Sequence, residues 1–220
     1  ALGEATSRGF QREFEPEEVD EEEEMETIYT LFGMERKKMG KTKEDIKVLY
    51  VASECQPFIA TGGLADVAGS LPAAITQKGH DCRVVLPLYK NVNPKLRASM
   101  TFITHITVDV SWRKQYCGIF TAIYNGVTYY FLDNEYYFKR NGLYGHFDDG
   151  ERFAFFSKAI LEMLVNIDFY PDIIHTNDWQ TALTPVYYSA MYANSPGYEN
   201  IKTIFTIHNI SNFMTNRLSI

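Results

Sequence analysis

Several devices that anchor or cross-link proteins are scarce in these 220 residues. Only three cysteines occur, Cys55, Cys82 and Cys117. Three thiols cannot pair completely and none stands in C-x-x-C spacing, which excludes a dense disulfide framework and fits a reducing compartment, the cytoplasm. No apolar run approaches the roughly 18 residues of a membrane span, and the first residues lack the basic-then-apolar profile of a signal peptide. Because the chain opens with Ala1, a native start is expected upstream. A surplus of positive charge is missing too, since the formal net charge is -7. Residues 1–45 hold 14 of the 28 acidic and 7 of the 21 basic side chains, so the remainder carries 14 of each. An electroneutral body has no basic stripe for nucleic acid or an anionic membrane, and neither partner is expected. Nor is there a G-x-S-x-G elbow, a G-x-G-x-x-G fingerprint, a Walker loop or a metal-ligand spacing.

What is present divides into an extension and a body. Residues 1–24 end in a run of five acids, Asp20 to Glu24, too charged and too poor in apolar side chains to offset the entropy of ordering, and are expected to be disordered. Residues 26–39 place Ile28, Leu31 and Phe32 on one helical face, predicting at most a docking helix within a linker over 1–45. The whole chain is 45% hydrophobic, enough for one substantial α/β core in the body, 46–220. Residues 46–52 are β-branched and apolar on both faces, as a central parallel strand requires. A helix is predicted over 64–78, with Leu64, Val67, Ala68, Leu71, Ala74 and Ile75 on its buried face and Pro72 kinking it. Residues 84–86 form a second buried strand. From 101 to 132 the pattern alternates, and Asn125-Gly126 predicts a type I′ hairpin between 116–124 and 127–132. Helical spacing returns at 153–167, a strand follows at 172–175, a helix at 179–192 and a strand at 202–206. This alternation predicts a doubly wound, mostly parallel sheet with an inserted antiparallel hairpin.

In such sheets ligands bind beyond the carboxyl ends of the strands. Four segments fall there. Thr61-Gly62-Gly63-Leu64 leads into the first long helix; paired glycines let backbone amides approach a phosphate, although they also serve a tight turn. His175-Thr176-Asn177-Asp178-Trp179 delivers an imidazole, a carboxylate and an aromatic ring; Asp178 also suits the N-cap of the following helix, and His175 suits a core position with one satisfied bond. Thr206-Ile207-His208-Asn209 places an imidazole beside a carboxamide, which suits recognition of sugar hydroxyls. Gly142-Leu143-Tyr144-Gly145 precedes Asp148, Asp149, Glu151 and Arg152, with Asp148 or Asp149 available as a helix cap.

Together these segments resemble the bacterial glycogen synthase and starch synthase family. The resemblance rests on KVLYVASECQPF at 47–58, TGGLADVAGSLP at 61–72, RVVLPLY at 83–89, GLYG at 142–145, ERFAFFSKA at 151–159, DIIHTNDWQTAL at 172–183 and TIHNI at 206–210. It implies the N-terminal lobe of a two-lobed (GT-B) retaining glucosyltransferase that uses ADP-glucose, or UDP-glucose in some relatives, to extend an α-1,4-glucan without a metal ion or other cofactor. It further implies that Thr61, Gly62 and Gly63 face the donor diphosphate and that Asp66 lies near the glucosyl hydroxyls. His208 and Asn209 would contact the glucosyl unit at the reacting centre, and Asp178 would line the acceptor side. Three departures accompany it. The family lysine before TGGL is Ala60 here, removing a cation from the donor phosphate; Ser211 to Met214 replace the expected aromatic, glutamine and glycine; and the second lobe, with the Arg, Lys and Glu that neutralise the diphosphate, has no counterpart in these residues. The expectation is a truncated or frame-shifted chain, inactive alone. A glucan-binding module using aromatics such as Trp112, Tyr116, Tyr136 and Tyr137, and another nucleotide-sugar transferase of the same fold, are the competing readings.

Overall fold

The computed structural model describes residues 45–111 and 113–209; the acidic extension, the expected docking helix, Trp112 and the tail beyond Asn209 lie outside the described residues. Seven strands form one sheet: β1 (Lys47–Val51), β2 (Asp81–Pro87), β3 (Thr101–Val110), β4 (Arg113–Tyr124), β5 (Val127–Asp133), β6 (Ile173–Asn177) and β7 (Lys202–Thr206). Their order is β3-β4-β5-β2-β1-β6-β7. The five strands from β5 to β7 run parallel, and β4 and β3 continue the sheet antiparallel beyond β5.

β1 lies at the centre because its residues tolerate burial on both faces. Leu49, Tyr50 and Val51 are fully buried. The hairpin between β4 and β5 turns at Asn125 and Gly126, with φ of 48° and 77°, the two positive-φ positions that a type I′ turn needs. The antiparallel strands therefore extend the parallel sheet at one edge.

The helices are α1 (Gly63–Gln77), α2 (Pro94–Ala98), α3 (Glu135–Phe138), α4 (Asp149–Met163) and α5 (Leu183–Tyr187). Helix α1 packs against β2 and β5, and α4 against β3 and α5. The chain leaves β1 for β2 in one direction and returns from β5 to β6 in the other. Right-handed crossovers in opposite directions put α1 and α4 on opposite faces.

Three helical expectations need correction. In α1 the buried residues are Leu64, Ala65, Ala68 and Pro72, whereas Leu71 is 36% exposed and Ala74 is exposed. The buried stripe follows the i, i+4 series 64, 68, 72, and Leu71 lies about 100° from Pro72 around the axis. Helix α4 starts four residues earlier than its apolar spacing begins and ends at Met163, followed by a 3₁₀ turn over Leu164–Asn166. The helix expected over 179–192 is broken into a 3₁₀ turn (Trp179–Thr181), α5 and a π-helical turn (Tyr188–Tyr192). Pro185 within α5 has no N–H to donate to the regular ladder, a local reason for irregular winding there.

Candidate active site

Between β1 and β6 the strand order reverses: from β1 the chain fills the sheet toward β5, then returns to the other side. Doubly wound sheets bind their ligands at such a switch point, beyond the carboxyl ends of the strands. The loop after β1, the end of β6 and the end of β7 meet there.

The glycine loop supplies the first wall. Gly62 is the N-cap of α1 in an extended conformation, and no side chain caps the helix, so apart from the Ala65 amide, which donates to Gly62 O at 3.1 Å, the first-turn amides and the positive end of the helix dipole are left to an anion. Neither Gly62 nor Gly63 adopts positive φ, so turn geometry does not demand glycine. A Cβ at Gly63 would meet nothing within 4 Å, and one at Gly62 would meet only Glu54 Oε1 at 3.9 Å. The missing side chains leave open space above the amides, which is what close approach of a phosphate requires.

Glu54 braces this loop from below. It is 5% exposed, and its Oε2 accepts from the Thr61 amide and from Thr61 Oγ1 at 2.7 Å. A buried carboxylate bound by two donors fixes the loop entering Gly62. Beyond the glycines, Gln56 Nε2 donates to Asp66 Oδ1 at 2.7 Å and Gln56 N to Ala65 O at 3.0 Å. Asp66 is exposed on the first turn of α1 with one oxygen held in this way.

At the second wall Asp178 has φ 59° and ψ 176°, a region that L-residues enter at about 1–3 kcal/mol. Its amide donates to Thr206 O at 2.9 Å, and its carboxylate makes no capping bond to the turn that follows. The capping reading of Asp178 is therefore corrected. Oδ1 instead accepts from the amides of His208 at 2.7 Å and Asn209 at 3.3 Å, which ties the end of β6 to the loop after β7. The strain is maintained by these bonds from the neighbouring strand.

Asn177 sits beneath, fully buried. Its Nδ2 donates to Val51 O at 2.9 Å and to His175 O at 3.3 Å; its Oδ1 accepts from Tyr50 Oη at 3.1 Å and bonds His208 Nε2 at 2.8 Å. The ends of β1, β6 and β7 are thus joined through one carboxamide. The imidazole of His208 is itself exposed at this edge. His175 bonds Thr206 Oγ1 at 2.8 Å, and burial, followed by the charge of His208, lowers its pKa below 6.5.

Tyr144 connects the two walls. Its Oη lies 2.8 Å from Ser53 Oγ, its ring packs 6.3 Å from Trp179 and 5.9 Å from Phe153, and burial and then the Glu54 charge raise its phenol above 10.0. Further out, Asp148 is not a capping side chain; it forms a two-bond ion pair with Arg140 at 2.7 and 2.8 Å. Asp149 accepts from Gly145 N at 2.7 Å and pairs with buried Arg152. These carboxylates hold the Tyr144 loop.

The structure thus brings Thr61, Gly62, Gly63, Asp178, His208 and Asn209 to one sheet edge and places Asp66 at its margin. The sequence reading passed over Glu54, Ser53, Asn177 and Tyr50. Buried polar side chains at a strand end were the available signal, but their partners lie up to 127 residues away. Among the described residues no group of three or more His, Cys, Asp or Glu is placed to hold a metal ion.

A doubly wound parallel sheet with an uncapped helix N-terminus and buried polar groups at the carboxyl ends of its strands defines a Rossmann-like lobe. Comparison with known proteins makes the relation specific. A family model described as the starch synthase catalytic domain matches residues 47–215. The glycogen synthase of Clostridium botulinum (strain Alaska E43 / Type E3) is 53% identical over 167 residues, covering 76% of this chain and 35% of that protein. The glycogen synthase of Anoxybacillus flavithermus is 52% identical over 165 residues, covering 75% of this chain and 34% of that protein. Among solved structures, the catalytic domain of starch synthase IV from Arabidopsis thaliana, bound to ADP and acarbose, superimposes with a TM-score of 0.70 at 31% identity, covering 75% of this chain and 34% of that one. The chain belongs to the starch synthase catalytic domain family, and spans about a third of the length of these relatives.

Proposed function

We propose that this chain is the acceptor-side lobe of a retaining glucosyltransferase that moves glucose from ADP-glucose to the non-reducing end of an α-1,4-glucan. The observation that carries the reading is that two unlike sets of groups stand at the carboxyl ends of neighbouring parallel strands. Open amides at Gly62 and Gly63 suit a diphosphate leaving group, and His208, held by Asn177 and Asp178, suits a sugar hydroxyl. Loss of the glycosidic bond to ADP creates an oxocarbenium-like centre and a departing phosphate; fixed dipoles and donors that need no reorganisation lower that barrier. The ADP held by the solved relative and the glycogen synthase relatives support the donor and acceptor assignments. Among the described residues no helix is long and apolar enough to cross a membrane, and all three cysteines are free and buried; a cytoplasmic location fits both.

The test uses the full-length gene product that carries this lobe. Glucosyl transfer to a glucan primer is measured from ADP-glucose, UDP-glucose and GDP-mannose, with ADP-glucose expected to be the best donor. His208→Ala is expected to lower kcat about a hundredfold or more, and further than Asp178→Ala. Full activity of His208→Ala removes that residue from the reacting centre, and preference for another donor overturns the assignment of ADP-glucose.

A further inference from the structure

We infer that Asn177 is a positioning residue that fixes the tautomer of His208, placing the proton on Nε2 and leaving Nδ1 of the neutral ring as a hydrogen-bond acceptor for the ligand. The argument is one of donor and acceptor capacity. A carboxamide has two N–H donors and two acceptor sites on oxygen. The nitrogen of Asn177 faces two backbone carbonyls, Val51 O at 2.9 Å and His175 O at 3.3 Å. Carbonyls only accept, so the amide cannot be turned the other way round. Its oxygen therefore faces Tyr50 Oη at 3.1 Å and His208 Nε2 at 2.8 Å. An amide oxygen carries no proton, so both neighbours donate, and Nε2 of His208 is protonated.

All four capacities of Asn177 are then used, and the residue is fully buried, so no water competes for them. The backbone of His208 is held separately, by the Asp178 carboxylate at 2.7 Å. Ring and backbone are thus anchored from successive residues, Asn177 at the end of β6 and Asp178 just beyond it. In the neutral ring the second nitrogen has a lone pair and no proton. A sugar hydroxyl entering the site donates to it, and the hydroxyl oxygen keeps its own lone pairs for other donors. Asn177 does this without touching the ligand. The inference rests on the proposal that His208 faces the sugar, but the tautomer itself does not.

The imidazole nitrogens of His208 are read by nitrogen-15 NMR in the 220-residue chain, with no donor present and at a pH where the ring is neutral. The parent is expected to show the Nε2–H form. Asn177→Leu, which removes the acceptor oxygen, gives a mixture of both tautomers. An Nδ1–H form in the parent, or an unchanged single tautomer in Asn177→Leu, overturns the inference. If the leucine variant does not fold, the parent spectrum decides alone. In the full-length gene product, Asn177→Leu is expected to lower kcat at least about tenfold while KM for ADP-glucose stays within about twofold. Because the spectrum contains no donor, a wrong tautomer overturns this inference and leaves glucosyl transfer standing, while absence of transfer leaves the tautomer standing.

Discussion

At the scale of single residues, the site depends on polar groups whose burial is matched by partners. Asn177, Glu54 and Asp178 are each within a few per cent of complete burial and each holds two or more bonds across elements. Such groups cost free energy unless paired, and once paired they admit few geometries. His175 shows how this couples to pH. Its folded pKa lies below its ordinary 6.5 because burial disfavours the cation. The unfolded chain therefore binds the proton more readily, so the contribution is complete above about pH 6.5 and is lost as pH falls through the folded value. Urea unfolding midpoints are expected to decline from pH 7 toward pH 5, and His175→Gln, which keeps a hydrogen bond to Thr206 without a charge, should flatten that limb. An identical decline in the variant removes His175 as the cause.

At the scale of elements, the loop between β1 and α1 is shaped by what lies beneath it rather than by its own turn residues. Gly69 allows α1 to approach it closely, since a Cβ there would stand 2.9 Å from Gln56 O. Glu54 then fixes Thr61, the residue before the open glycines. In the full-length gene product, Glu54→Ala should leave those amides unaimed and raise KM for ADP-glucose about tenfold, the effect of losing about 1.4 kcal/mol of donor binding. Thr61→Val, which removes only the hydroxyl bond, should do less. Equal kinetics for Glu54→Ala and the parent exclude the bracing role. The parallel strands, the type I′ turn and the glycine loop were legible in the sequence because each depends on neighbours in the chain: apolar runs, Asn125-Gly126 and Gly62-Gly63. Asn177 and Glu54 were not, because a buried amide or carboxylate declares itself only through partners. Those of Asn177 come from β1 and the loop after β7. The irregular winding after Trp179 was masked for a similar reason. Spacing alone reads as a helix, while Asp178 is pulled into a strained conformation by the end of β7.

At the scale of the molecule, the sheet order determines that these pieces share one place. Parallel strands put the ends of β1, β6 and β7 at the same edge, and the reversal between β1 and β6 is the switch point at which such sheets bind ligands. The family relation extends across about three quarters of this chain. The antiparallel pair β3 and β4 lies at the far side of the sheet from β7, so the hairpin widens the core away from that switch point. The central claim is that the Gly62-Gly63 amides and the His208 ring face a single ligand. Titrating the full-length gene product with ADP-glucose while following those glycine amides and that imidazole by NMR tests it most directly. All three signals are expected to move along one saturation curve. Movement of the glycines with an unmoved imidazole, or the reverse, would contradict it.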